Sequence, residues 1–238
     1  MEQGEGDRPR LTRQGRGRLV EVAVTLLLTV ALYFAAAGRW SDGRAWSYFA
    51  GGSLYYLVVV PAALARCPRF VEVVNARGGH GRGTKAWDKA IGALLTLMYL
   101  VLTLTAGLDA RFGWSSLPVE WLAAGIALFV LSGMLGHWAM LANPFFEKTV
   151  RIQEERGHHV ATGGPYRFVR HPGYVAFILM GFALPLGVGS AWALLPAGLN
   201  AALIVVRTVL EDRTLRRELP GYAEYARTTR YRLLPGVW

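Results

Sequence analysis

The sequence predicts an all-α protein, a polytopic membrane bundle of about six helical spans that ends in a helical hairpin. Of its 238 residues, 53% are hydrophobic and only 18% are charged, a composition that soluble domains rarely have. Several apolar runs are about 20 residues long, the length that a helix needs to cross a bilayer core. Lysine and arginine collect between alternate runs, as expected of cytoplasmic loops.

Six segments are predicted to span the membrane. Residues 1–18 are rich in glycine and arginine and are predicted to be a flexible basic tail. The apolar run that follows is long enough to span a bilayer and lacks a clear cleavage site, so it is predicted to be a retained helix. The predicted spans are Leu19–Gly38, Trp46–Ala65, Ala90–Leu108, Pro118–Leu141, Tyr174–Val188 and Trp192–Leu210, the last two joined in a tight hairpin.

The distribution of basic residues predicts that both termini face the cytoplasm. Of the 26 lysines and arginines, the N-terminal tail carries five, the loop Arg66–Lys89 six, the loop Lys148–Arg170 five, and the segment from Arg207 onward seven. Short cytoplasmic loops carry this excess in membrane proteins. The net charge of +10 comes with no motif that reads nucleic acid, so membrane lipids are the expected partners and nucleic acid is not.

The most informative stretch is Gly163–Tyr174, which reads GGPYRFVRHPGY. It lies between two apolar segments, yet it carries two arginines, a histidine and two tyrosines, more polarity than packing requires. His171-Pro172 predicts a helix start, because proline at the first helical position loses no needed hydrogen bond. His171 and Tyr174 would share one face of that turn, and its N–H groups are expected to be free to meet an anion.

Several elements follow one another in residues 140–238. They are GPYRFVRHPGY, an apolar hairpin, Glu211-Asp212-x-x-Leu215, Gly221-Tyr222-x-x-Tyr225 and a terminal Arg232-Leu-Leu-Pro235. In this order they resemble the isoprenylcysteine carboxyl methyltransferase family, which is related to phospholipid N-methyltransferases and methanethiol S-methyltransferase-like enzymes. The loop Gly78–Lys89, which contains GTKAWDK, resembles a family loop more weakly. The sequence departs from the family pattern at Asp212, where a second glutamate is usual.

The resemblance implies a membrane methyltransferase with transmembrane helices 1–4 in residues 19–142 and a methyltransferase core in residues 143–238. It implies a cytosolic pocket for S-adenosylmethionine and a lipid-like or small apolar acceptor. Arg170 and the helix start suit the cofactor carboxylate, Glu211 suits its amino and hydroxyl groups, and a tyrosine suits its sulfonium. The residues expected to bind the cofactor are Tyr166, Arg170, His171, Pro172, Tyr174 and Glu211. The residues expected to be catalytic are Arg230, Arg232 and Glu211, with anchoring to anionic lipid as the alternative for the two arginines.

Other functions remain open from the sequence. The sequence does not indicate which atom accepts the methyl group. It is therefore also compatible with a small-thiol S-methyltransferase or a phospholipid N-methyltransferase. Sterol reductases have a similar Arg-His-Pro-x-Tyr stretch and use NADPH, although the chain is short for their usual ten-span body. A non-catalytic membrane module that binds lipid is the third class. The oligomeric state is not predicted.

The roles of His137, His158 and His159, which lie outside the main motif, are left open by the sequence. His137 could line the pocket, but a hydrogen-bonded packing role is at least as well supported for it. His158 and His159 are expected to lie in a solvated loop, because no third ligand accompanies them. The sequence therefore predicts no metal site, and a single cysteine, Cys67, excludes a disulfide within the chain.

The last predicted hairpin begins with an unusually short span. At roughly 1.5 Å per residue, Tyr174–Val188 would reach only about 22 Å across a hydrocarbon core of about 30 Å. Its start is therefore expected to lie below the headgroup plane and to leave a side opening for an apolar acceptor. Three phenylalanines are candidates to line that opening, with core packing as the alternative: Phe145, Phe146 and Phe177.

Overall fold

A computed structural model describes residues 9–76 and 83–238, so the first eight residues of the predicted tail and part of the loop Gly78–Lys89 lie outside it. The described residues form the α-helices α1 (Arg13–Ala37), α2 (Gly43–Arg66), α3 (Pro68–Ala76), α4 (Ala86–Phe112), α5 (Trp121–Ala142), α6 (Pro172–Val188), α7 (Leu194–Glu218) and α8 (Tyr222–Thr228). Among them, α1, α2, α4, α5 and α7 are long and apolar enough to cross a membrane, and α6 is apolar but shorter. The predicted membrane bundle is therefore confirmed.

The start of α1 corrects the predicted tail. The helix begins at Arg13, so the last residues of the predicted flexible segment 1–18 are helical. Thr12 caps the helix, because its hydroxyl accepts a hydrogen bond from the N–H of Gly15 at 3.0 Å. Asn75 in turn accepts from the N–H of Thr12 at 2.9 Å. This contact joins residues 63 positions apart, which is why the sequence of the tail did not predict it.

Helix α3 corrects the prediction of a plain loop at Arg66–Lys89. It follows α2 directly and turns its apolar side toward the bundle. Its nine residues are too few to give a clear helical period in the sequence, and packing against α5 stabilises the helix. The contact is a small hydrophobic cluster made by Phe70, Val73, Val74 and Met140.

The hairpin of α6 and α7 forms where it was predicted. Helix α6 ends at Val188, and Gly189 follows with φ 88°, a left-handed conformation that glycine adopts at little cost. Helices α5 and α6 approach closely, because a Cβ atom at Gly125 would lie 2.3 Å from the backbone nitrogen of Gly187. Small residues thus let the short α6 pack tightly inside the bundle.

Arg44 of α2 supports the end of α6. Its Nε donates to the carbonyl oxygen of Gly187 at 2.9 Å and its Nη2 to that of Leu186 at 3.0 Å. Its Nη1 donates to the carbonyl of Leu117 in the α4–α5 connection at 2.6 Å. The last carbonyls of a helix have no partner within the helix, so Arg44 serves as their cap.

Candidate active site

A cavity of about 320 Å³ lies where the start of α6, the C-terminal half of α7, α8 and residues 143–161 meet. Its size is at the lower end of the range of roughly 300–1,000 Å³ for small-molecule sites. The wall combines rings with charges of both signs. Its aromatic residues are Phe145, Phe146, His158, Tyr166, His171, Tyr174, Phe177, Tyr222 and Tyr225, and its charged residues are Glu147, Lys148, Arg151, Arg170, Arg207 and Glu211.

Helix α6 begins at Pro172, as predicted, and His171 immediately precedes its first turn. The backbone around this start is already paired. The N–H groups of Arg170 and His171 donate to carbonyl oxygens of the C-terminal segment 230–238 at 2.9 Å each, and the N–H of Tyr174 donates to the carbonyl of His171 at 3.0 Å. Contrary to the expectation, these three N–H groups are not free to meet an anion: the end of the chain pairs those of Arg170 and His171, and the first helical turn pairs that of Tyr174.

Behind the cavity, the carboxylate of Asp212 accepts hydrogen bonds from several polar side chains. Its carboxylate is buried and accepts from Nε of Arg170 at 2.7 Å, from Nε of Arg232 at 3.2 Å and from the hydroxyl of Tyr222 at 3.0 Å. Arg170 also donates from Nη1 to two backbone carbonyls after α8, at 2.8 Å each. The charge of Arg170 is thus used inside the protein, where it fixes the C-terminal segment beside the start of α6.

The two arginines that were expected to be catalytic lie apart from the cavity wall. Arg230 is exposed. Arg232 contacts Asp212 and lies 4.8 Å from the ring of Trp238. The structure brings Glu211 into the cavity and leaves both arginines outside it.

Glu211 and Tyr174 meet on the wall of the cavity. The hydroxyl of Tyr174 donates a hydrogen bond to Oε2 of Glu211. The ring of Tyr174 stacks on that of His171, with centroids 5.7 Å apart and planes inclined by 15°. Nε2 of His171 lies 3.4 Å from the hydroxyl of Tyr222. Within the described residues Glu211 forms no ion pair, although the charge of Arg207 lies one turn away on α7, so the wall carries a carboxylate without a direct cationic contact beside two stacked rings.

The phenylalanines proposed as linings all reach the cavity. Phe146 packs on Gly173, where an added Cβ atom would lie 2.4 Å from its ring. Phe177 lines the cavity while 48% of it is exposed on α6. Tyr166 also contributes to the wall, and its hydroxyl accepts from Nδ2 of Asn143 at 3.3 Å. The apolar side of the cavity therefore continues to the outer surface of the bundle.

The histidines outside the motif differ in their environments. His158 was expected to be solvated, yet it is partly buried against the cavity, with its ring 4.5 Å from that of Phe145. Burial lowers the pKa of His158 to about 4, so the ring is neutral at neutral pH. His159 is exposed, as predicted. Nδ1 of His137 lies 2.9 Å from the hydroxyl of Tyr55, outside the cavity wall, in the packing role that the sequence left open.

Residues 125–217 match the isoprenylcysteine carboxyl methyltransferase (ICMT) family. The match confirms the predicted resemblance and, together with the apolar helices, supports a membrane methyltransferase. No curated protein matches the chain. The ICMT-family segment includes the cavity residues of α6 and α7, whereas the rings of Tyr222 and Tyr225 enter the cavity from beyond it.

The pair formed by Arg207 and Asp88 at the cavity wall was not predicted from the sequence. Arg207 lines the cavity one turn before Glu211 on α7, and Asp88 at the start of α4 accepts from its Nε at 2.8 Å. The i, i+4 spacing of Arg207 and Glu211 was visible in the sequence, as was Asp88 within GTKAWDK. Their pairing was not visible, because Asp88 and Arg207 are 119 positions apart.

Proposed function

We propose that this protein is a membrane methyltransferase that uses S-adenosylmethionine and acts on a lipid-like or small apolar acceptor. The observation that carries the proposal is the wall formed by Glu211 and Tyr174. A carboxylate that forms no ion pair in the described part of the chain lies there beside aromatic rings. Such a wall suits a ligand with ammonium and sulfonium groups, which bind to carboxylates and to aromatic faces. The match of residues 125–217 to a methyltransferase family supports the same chemistry.

The remaining groups of the cavity fit the other parts of that cofactor. Aromatic rings from four segments offer faces on which a purine ring can stack. The side chain of Thr149 on the cavity wall adds a hydroxyl that can bond to hydroxyls of a ligand. Arg207 supplies a positive charge for a carboxylate. Groups for each part of an amphoteric nucleoside are thus present within one cavity.

The bound cofactor would supply an activated methyl group, which passes to the acceptor as the new bond to carbon forms and the bond from carbon to sulfur breaks. The protein then has to align the acceptor and exclude water. The buried ring of His171 and the partly buried ring of Tyr174 can do both at the start of α6. An acceptor that is already a carboxylate or thiolate needs no general base.

The geometry of α6 supports entry of the acceptor from the bilayer. The helix has 17 residues, which at about 1.5 Å each cover roughly 25 Å, less than the hydrocarbon core of about 30 Å. Phe177 lines the cavity and keeps 48% of its surface exposed, so the cavity wall includes an accessible apolar side chain of this helix. An apolar tail can therefore rest in the lipid beside Phe177 while the reactive head reaches the cavity.

The test is methyl transfer by the purified protein in lipid nanodiscs. S-adenosylmethionine labelled in its methyl group is incubated with carboxylic acids, thiols and amine lipids of increasing chain length. Transfer to one acceptor class is expected, and efficiency should rise with length by up to about 0.8 kcal/mol per buried methylene before it levels off. Equal turnover of short water-soluble acceptors would instead indicate a small-thiol methyltransferase. Cofactor binding without transfer to any acceptor would indicate a non-catalytic module.

A further inference from the structure

We propose that Arg207, held in place by Asp88, binds a carboxylate of the ligand inside the cavity. This assignment rests on the proposed function, because it concerns the ligands of that cavity. It replaces Arg230 and Arg232 as candidates for carboxylate recognition, since neither lines the cavity wall. Asp88 is assigned as a positioning residue that acts through Arg207.

Asp88 and Arg207 form a buried pair that joins three segments of the chain. Their side chains are 1% and 9% exposed, and Nη2 of Arg207 lies 2.8 Å from Oδ1 of Asp88. The other carboxylate oxygen accepts from the N–H of Val150 at 2.7 Å, and Nη2 of Arg207 also donates to the carbonyl of Lys148 at 2.6 Å. The guanidinium is therefore fixed by hydrogen bonds to α4 and to the segment before α6. A fixed guanidinium binds a ligand with little loss of side-chain entropy.

The remaining donor of Arg207 is available to a ligand. Its Nε and Nη2 are occupied by protein acceptors, whereas Nη1 has no hydrogen-bond partner in the described residues. Its Cζ lies 5.4 Å from the ring centroid of Tyr174, which places the guanidinium at the cavity wall. The side chain thus combines a fixed position with two unused N–H groups.

The other basic side chains of the wall are already engaged. Arg151 uses its three nitrogens on Glu147 and Glu155. Arg170 uses its three on Asp212 and backbone carbonyls. Lys148 pairs with a glutamate of α1 and is 77% exposed. Across residues 9–76 and 83–238, Arg207 is therefore the wall guanidinium that keeps an unpaired terminal nitrogen.

The position of Arg207 relative to Glu211 suggests an amphoteric ligand. The two residues are one helical turn apart on α7, so their side chains lie roughly 5–6 Å apart along one face. A ligand with an ammonium and a carboxylate matches this arrangement of opposite charges. Two carboxylates qualify by chemistry: that of the amino acid part of S-adenosylmethionine, and that of an acidic acceptor whose tail lies in the bilayer.

The test compares ligands that differ only in the carboxylate. Calorimetry in detergent would use S-adenosylhomocysteine against its decarboxylated analogue, and a long-chain thioether acid against its amide. If Arg207 binds the carboxylate, the wild-type protein should prefer the acid member of one pair by about tenfold to a hundredfold. The pair that shows the preference identifies the source of the carboxylate. No preference in either pair would overturn the assignment.

Variants then assign the preference to Arg207. Arg207→Lys cannot hold Asp88 and the ligand at once, so the preference should fall at least fivefold while the neutral member of the pair binds unchanged. Arg213→Lys, at an exposed position of the same helix, is the matched control. A purely structural role would weaken both members equally. A preference that survives in Arg207→Lys would overturn the assignment.

Two further outcomes separate folding and function from this assignment. Replacing Arg207 alone leaves the buried carboxylate of Asp88 without its partner, which can destabilise the fold. The double variant Asp88→Asn/Arg207→Gln removes both charges together, so it keeps the test informative if the single variant does not fold. The double variant should lose the preference as well, and a preference retained there contradicts the assignment. If S-adenosylhomocysteine binds the wild type without a carboxylate preference in either pair, only this assignment fails. If the wild type binds neither S-adenosylhomocysteine nor its analogue, the proposed function fails and the assignment with it.

Discussion

The hydroxyl of Tyr174 on α6 donates a hydrogen bond to the carboxylate of Glu211 on α7. This bond joins the two helices of the C-terminal hairpin at the wall of the candidate cavity. It orients a carboxylate that would otherwise rotate freely, and that carboxylate forms no ion pair in the part of the chain that the structure describes. The ligand that we propose brings the positive charge.

Glu211→Gln is expected to weaken binding of S-adenosylmethionine by about tenfold to a hundredfold, because the variant loses a charge-assisted hydrogen bond of about 1.5–3 kcal/mol. Glutamine can still accept from Tyr174, so the thermal midpoint should change little. Calorimetry and thermal unfolding in detergent measure the two effects. Glu224→Gln, an exposed residue paired with Arg227, is the control. Unchanged affinity in Glu211→Gln would show that the carboxylate does not contact the cofactor.

His171→Ala is expected to weaken cofactor binding by about tenfold. The imidazole stacks on Tyr174 and closes one side of the cavity, so its loss removes a wall. Tyr222 keeps its hydrogen bond to Asp212 at 3.0 Å, which preserves the support behind the site. His171→Gln, which retains a polar group, should recover part of the affinity. If the alanine variant binds like the wild type and is only less stable, His171 has a packing role.

Arg44→Gln is expected to lower the free energy of unfolding by about 2–4 kcal/mol without a change in cofactor affinity. The guanidinium donates two hydrogen bonds to carbonyls at the end of α6 and a third to the carbonyl of Leu117, and a buried acceptor left without a partner costs about 1–3 kcal/mol. Unfolding in detergent checks this effect against Arg39→Gln at an exposed position in the preceding loop. Equal stability of the two variants would contradict the capping role.

Stability is expected to fall as pH decreases from about 6.5 toward 4. The folded protein holds the pKa of His158 at about 4, below the value of about 6.5 in an unfolded chain, so the unfolded state binds the proton more readily. The corresponding loss in the free energy of unfolding is at most about 3 kcal/mol. Water around the partly buried ring makes the actual loss smaller. In His158→Gln the thermal midpoint should depend less on pH, whereas His159→Gln should behave like the wild type. Equal slopes in all three proteins would contradict the prediction.

Both termini are expected on the cytoplasmic side, as the arrangement of lysine and arginine predicts. In a Cys67→Ser background, new cysteines at the exposed residues Ser41 and Ser116 should react with an impermeant thiol reagent applied to intact cells. A cysteine at Thr162, which is also exposed, should react only after permeabilisation. Labelling of the cysteine at position 162 in intact cells would contradict this topology and the cytosolic position of the cavity.

The local signals of the sequence predicted much of the fold. Proline at position 172 predicted the start of α6, and the apolar run Trp192–Leu210 predicted the apolar part of α7, which continues to Glu218. These features depend on a few neighbouring residues, so they can be read without the rest of the chain. Helix α3 was missed because its stability comes from packing against α1, α2 and α5.

The roles of individual polar residues were harder to predict. Glu211 and Asp212 are adjacent in sequence, but neighbours on a helix are separated by about 100° and therefore face different surroundings. Glu211 reaches the cavity, whereas Asp212 is buried against Arg170 and Arg232. In the sequence, Arg207 has the pattern of an ordinary basic residue at a membrane edge. Its role becomes apparent only from its pairing with Asp88 in the structure. Such assignments depend on contacts between distant segments, which composition and spacing do not specify.

The central claim is that the cavity beside Glu211 binds S-adenosylmethionine, and titration calorimetry of the purified wild-type protein tests it most directly. Separate titrations would use S-adenosylmethionine, S-adenosylhomocysteine and NADPH in the same detergent. The account predicts saturable binding of the first two, weakened in Glu211→Gln, and no saturable binding of NADPH. Binding of NADPH alone, or of none of the three, would contradict it.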